Sequence, residues 1–158
     1  MSKLYQIAKL RAIALDAGLE LPDDFRGTSD LDLALAYNGI GSESTPAAVR
    51  EALTAALNIF EPAALIHDYQ YSRLQSAGLF IDEAREAADA MFYRNCRKLA
   101  CYYSCGWADP IRYLHLYQAW GCWRAVRRFG GIGMERAVLL AGLTAAILSA
   151  SSITERLA

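Results

Sequence analysis

His67 and Asp68 are adjacent in the chain, and Tyr71 follows four residues after the histidine. Upstream lies Tyr37-Asn38-Gly39-Ile40-Gly41, and downstream lies Ala88-Asp89-Ala90-Met91-Phe92. An imidazole exchanges a proton near neutral pH, and a carboxylate on one ring nitrogen leaves the other free to take a proton from water. A second carboxylate beside a glycine loop offers calcium the two oxygen types it favours, carboxylate and backbone carbonyl. Glycines let such carbonyls converge without side-chain obstruction, and a loop N–H can meet an oxyanion. Water activation beside a hard cation is the chemistry these residues spell, and ester hydrolysis is its natural use. The pattern places no serine or cysteine nucleophile.

The elements that must position these groups are helices. If Pro62 to Tyr71 is helical, His67 and Tyr71 share a face and Asp68 points about 100° round from the histidine. Only Gly78 to Ile81 separates this segment from the next helical pattern, so the two are expected to pack as an antiparallel hairpin. His67 lies 11 residues before Gly78 and Asp89 lies 11 after it. Asp89 is therefore expected to face His67 and hold its tautomer, which leaves Asp68 for the cation.

The rest of the chain reads as helices joined by short loops. Apolar positions recur at helical spacing from Lys3 to Ala17, with Gly18 as the cap. Leu21 to Tyr37, with Pro22, Gly27 and four aspartates, reads as irregular, and Asp30 and Asp32 as loop and cap residues. Thr45-Pro46 predicts a helix start, running to about Phe60. Further helices are expected from Pro62 to Gly78, from Asp82 to Tyr103 and from Pro110 to Arg128. Gly130 to Gly133 then breaks the chain before a final apolar helix over 137–157. The fold class is all-α, a single domain over 1–158 whose chemistry sits in 37–96.

Composition narrows the function. The chain has 158 residues, 54% of them apolar, and a net charge of −1, so bulk charge gives no reason to expect nucleic-acid binding. Arg124, Arg127, Arg128 and Arg136 read as a solvated helix face, with an anionic lipid surface as the alternative. Cys96, Cys101, Cys105 and Cys122 show no zinc spacing and read as buried thiols, with Cys122 able to reach another cysteine from a neighbouring helix. The tryptophans, with Tyr102, Tyr103, Tyr113 and Tyr117, read mostly as core, with a lipid–water interface as the alternative, and His115 as a packing or interface residue. The charged N-terminal segment does not read as a signal peptide. The 18 uncharged residues from Ala137 to Thr154 include many alanines and hydroxyls, so a packed helix is expected there rather than a membrane span.

Tyr37-x-Gly39-x-Gly41, then His67-Asp68-x-x-Tyr71, then Asp89, resembles the signature of the secreted phospholipase A2 superfamily. The resemblance covers about 60 residues and looks most like the short versions in phage, bacterial and parvoviral capsid proteins. It implies His67 as general base, Asp89 as its orienting partner and Tyr71 as support for Asp89. It implies Ca²⁺ held by Asp68 with the carbonyls of Tyr37, Gly39 and Gly41, and the Gly39 N–H facing the oxyanion. Two departures stand out. Leu65, Ile66, Tyr69 and Gln70 occupy places near the pair where the secreted enzymes carry disulfide cysteines, and Ile40 replaces a loop cysteine. This chain is thus expected to hold its dyad by helix packing. The 25 residues between Gly41 and His67 leave room for an extra helix.

The resemblance implies a phospholipid surface as substrate and partner. A homo-oligomer or a place in a virion are open alternatives, as is a non-catalytic membrane-binding or structural module. The expectation for location is a chain made in the cytoplasm, with lytic release, carriage in a virion and a secretion machine all open.

Overall fold

The computed structural model describes residues 2–39, 55–79 and 82–129. Gly41, the helix start expected at Thr45-Pro46 and the apolar helix expected over 137–157 lie outside these residues. Among the described residues the chain is all-α: five α-helices, two short 3-10 turns and no strand.

Helix α1 spans Lys3–Asp16. The Ser2 hydroxyl accepts the Tyr5 N–H at 3.3 Å, satisfying one of the donors a helix start leaves open. The helix buries Ile7, Leu10 and Ala14, spaced three and four apart on one face. It ends as expected at Gly18, whose φ of 61° is the left-handed conformation that lets the Leu19 N–H return to the Ala14 carbonyl.

The segment expected to be irregular is not so throughout. A 3-10 turn occupies Phe25–Gly27, and α2 spans Asp30–Ala36. Ser29 caps α2 by accepting the Asp32 N–H at 3.1 Å, and the Ser29 hydroxyl donates to the Asp32 carboxylate at 2.6 Å. Asp30, in the first turn, pairs with Arg11 at 2.8 Å, and Arg11 also donates to the Thr28 carbonyl at 2.9 Å. These bonds tie α2 to α1, which run together in the core.

Helix α3 spans Glu61–Ser76, directly after a 3-10 turn over Asn58–Phe60. Proline is accommodated in its first turn because the N–H it lacks would have had no partner there. The first half of α3 is buried on every side, from Pro62 through His67 and again at Tyr69. It contacts α1, α2 and the next helix, α4, which spans Asp82–Tyr102. The last helix, α5, spans Pro110–Phe129 and packs along α4. Asp109 caps it by accepting the Ile111 N–H at 2.9 Å.

Phe25, Phe60, Ile7, Leu33, Leu65, Ile66 and Leu99 are fully enclosed and form the centre of the core. Each such side chain contributes about 1.5–3 kcal/mol through burial. The expectation of a largely aromatic core around α5 fails. Trp107 is 79% exposed and Tyr113 58%, and Tyr102, Tyr103, Tyr117 and Trp120 are exposed too. Trp123 does pack, stacked on Tyr93 at 5.2 Å. Helix α5 meets α4 along one stripe, so Tyr113, Tyr117 and Trp120 on its other faces meet solvent; Tyr102 ends α4, and Tyr103 and Trp107 lie in the turn between the two helices. The cysteine expectation holds in part: Cys96 is buried, Cys122 is half-buried, and Cys101 and Cys105 are exposed, all with free thiols. Among the described residues, no helix is long and apolar enough to cross a membrane.

Candidate active site

Asp89 sits in the middle of α4 on a stripe that also carries Ala88, Phe92, Cys96 and Leu99. A carboxylate there has no exposure to water. A buried charge is sustained only by partners that replace its hydration. Asp89 finds them on α3. His67 Nε2 lies 3.0 Å from Asp89 Oδ1, and the Tyr71 hydroxyl donates to the same oxygen at 2.5 Å. The four-residue spacing of His67 and Tyr71 is what lets both reach one acceptor, and their rings lie 4.1 Å apart. Phe92, one turn beyond Asp89, packs its ring 5.0 Å from the imidazole. Asp89 Oδ2 is buried and has no hydrogen-bond partner among the described residues.

Burial of the imidazole disfavours its charged form. The Asp68 and Asp89 carboxylates outweigh that, so the His67 pKa lies above its ordinary value of 6.5. Asp68 Oδ1 is 3.8 Å from His67 Nδ1, beyond hydrogen-bond range, so Asp68 acts on the ring through charge. With Nε2 engaged by Asp89, Nδ1 is the nitrogen that faces Asp68. Burial, and then the bond to Asp89, push the Tyr71 phenol far up, so it stays protonated and remains a donor.

The Tyr37–Gly39 segment follows α2 and reaches α3 at Asp68. The Asn38 N–H donates to Asp68 Oδ2 at 2.9 Å. Tyr37 is buried, and its phenol is pushed up by that burial and then by the nearby charges of Glu61 and Asp68. Gly39 has φ 84°, a conformation other residues adopt only under strain, and no atom of the described residues lies within 4 Å of where its Cβ would be. Asp68 Oδ2 is thus taken by the loop, while Oδ1 carries no hydrogen bond among the described residues.

His67, Asp89, Tyr71, Asp68, Tyr37 and Gly39 are therefore gathered at one place, and Gly41 lies outside the described residues. No group of three or more His, Cys, Asp or Glu side chains suited to a metal occurs among the described residues. A site made from one carboxylate and backbone carbonyls requires no such group; Asp68, held by the Asn38 N–H beside a glycine turn, is the carboxylate at hand for one.

Two supporting groups went unnoticed in the sequence. Asn95 is fully buried; its Oδ1 accepts the Glu20 N–H at 2.7 Å and its Nδ2 donates to the Glu20 carbonyl at 2.9 Å. This bolts the segment after α1 onto the helix that carries Asp89. The available signal was one polar residue in the apolar run Ala88, Phe92, Asn95, Leu99. Tyr69 is the other: its hydroxyl donates to Asp24 Oδ2 at 2.8 Å and lies 2.8 Å from Thr28 Oγ1. Arg73 also pairs with Asp24, at 2.5 Å, so the 3-10 turn is pinned to α3 beside the site. Leu65, Ile66 and Tyr69 are all buried where the resemblance would put disulfide cysteines or their neighbours.

Comparison with family models, with curated proteins and with solved structures found no match.

Proposed function

We propose that this chain is a calcium-dependent, phospholipase A2-like hydrolase of phospholipid acyl esters, a single domain built on the antiparallel hairpin of α3 and α4 with a glycine calcium loop. The observation that carries this reading is the buried His67–Asp89 pair, with Nε2 at 3.0 Å from Oδ1 and Nδ1 left for a proton. A histidine bound to a fully enclosed carboxylate keeps one tautomer, which is what a general base acting on water requires.

In this reading Nδ1 takes a proton as a water oxygen bonds to the acyl carbon. The same nitrogen returns that proton to the departing glycerol oxygen as the ester bond breaks. Asp89 stabilises the imidazolium in between, and Tyr71 holds Asp89. Asp68 and the carbonyls of Tyr37, Gly39 and Gly41 would hold calcium, which supplies positive charge against the substrate phosphate and the developing oxyanion. The Gly39 N–H is the proposed further donor to that oxyanion.

Calorimetric titration of wild type and Asp68→Asn with calcium, beside a fluorescent phospholipid assay, tests the reading. Calcium binding and calcium-dependent turnover are expected in the wild type, and both are expected to be lost in the variant. A wild type that binds no calcium and turns over no phospholipid in vesicles or mixed micelles would leave a non-catalytic membrane-binding or structural module.

A further inference from the structure

Away from His67, α4 and α5 border an open groove of about 690 Å³ near the end of α1. Four cationic side chains line it, Arg94, Arg97, Lys98 and Arg112, against one carboxylate, Glu20. Three of them come from a single face of α4, at positions i, i+3 and i+4, where like charges repel. Glu20 is already shared: Arg94 Nη2 lies 2.8 Å from it and Lys98 Nζ 3.8 Å, and Lys98 also donates to the Gly18 carbonyl at 2.9 Å. Arg97 lies over the Tyr93 ring, at 5.9 Å, and pairs with no carboxylate among the described residues. Arg112 has no ion pair among the described residues. Two guanidinium groups thus reach the groove from different helices without an anion among the described residues to balance them.

We infer that this groove binds a phosphate group, with Arg97 and Arg112 as the groups that take its oxygens. Guanidinium suits this ligand because its planar fork donates two parallel hydrogen bonds to a tetrahedral oxyanion. The volume falls within the range of small-molecule sites, so a phosphate ester fits as well as a bare ion. The phosphate could belong to a phospholipid headgroup or to a soluble ester. None of the lining residues belongs to the His67 site, so the inference stands apart from the proposed hydrolysis.

Binding is measured with excess chelator, which removes any contribution from a calcium site. One arm is calorimetric titration with glycerol 3-phosphate. The other is co-sedimentation with phosphatidylglycerol vesicles, with phosphatidylcholine vesicles as the uncharged comparison. The double variant Arg97→Gln/Arg112→Gln is expected to bind about tenfold more weakly or worse in whichever arm the wild type binds. Arg124→Gln, which removes a charge outside the groove, is expected to bind as the wild type does. Circular dichroism confirms that the variants stay folded. Binding in the glycerol 3-phosphate arm assigns a soluble ester, and binding in the vesicle arm alone assigns a headgroup. No wild-type binding in either arm, or equal loss in Arg124→Gln and the double variant, overturns the inference.

Discussion

On α3 and α4 polar side chains are buried; on α5 and the turn before it, apolar ones are exposed. His67, Asp89 and Asn95 are enclosed, whereas Trp107, Tyr113, Tyr117 and Trp120 face solvent. The first arrangement persists because the enclosed groups have partners: Asp89 Oδ1 has His67 and Tyr71, and Asn95 has both backbone groups of Glu20. An unpaired group in such surroundings costs about 1–3 kcal/mol, so the pairing is strongly fixed. The second persists because exposing an aromatic ring costs nothing that the unfolded chain does not also bear. Precision in this molecule thus resides in its buried polar interface, and sequence tolerance on its exposed aromatic face.

The sharpest way to break the comparison is His67→Gln. Glutamine keeps approximate size and a donor for Asp89 but cannot accept a proton near neutral pH. Phospholipid turnover is expected to fall by about 10²–10⁴-fold with the circular dichroism spectrum unchanged. Equal turnover in both proteins would make the histidine structural.

Asn95→Ala comes next, and its readout is stability. It leaves the Glu20 N–H and carbonyl without their partner inside the fold, and a loss on the order of 3 kcal/mol is expected. A urea midpoint close to that of the wild type would mean that water replaces the amide there.

A pH series sharpens the same interface. In calcium-free protein His67 holds its proton more tightly folded than unfolded, since its pKa is raised. Its contribution to stability is therefore complete below the ordinary value of 6.5 and is lost as pH rises through the folded value. The decline is expected to stay under about 1.4 kcal/mol per pH unit. Urea melts from pH 5 to 9 check it, and His67→Gln should remove this component of the slope. In the proposed hydrolysis, turnover is expected to run the opposite way, because the base must be neutral to accept a proton.

The contrast between the two regions also explains what could be read from the sequence. The His67–Asp89 contact was legible because helix spacing and one short connection set the depth of both partners: equal distances from Gly78 bring them to 3.0 Å. Helix ends at Gly18, Gly78 and Asp109 were legible because glycine and capping side chains act locally. Helix α2 was missed because Pro22, Gly27 and four aspartates outweighed the capping pair Ser29 and Asp32. The exposure of the α5 aromatics was illegible for a different reason. Tryptophan and tyrosine suit a core and a wet surface alike, and only the packing partner decides between them.

The smallest effect is expected on that face. Trp107→Ser/Tyr113→Ser removes two rings that are 79% and 58% exposed. Serine matches tyrosine closely in helix propensity, so the backbone of α5 has little reason to respond at position 113. Neither ring gives up much burial, and the urea midpoint is expected to correspond to wild-type stability within about 0.5 kcal/mol. A larger drop carries specific meaning, because fully covering a large apolar side chain is worth about 1.5–3 kcal/mol. If the loss appears at high protein concentration and fades on dilution, a second copy covers the face. If it is independent of concentration, the cover belongs to the chain itself, and the apolar residues 137–154 are the segment to delete next.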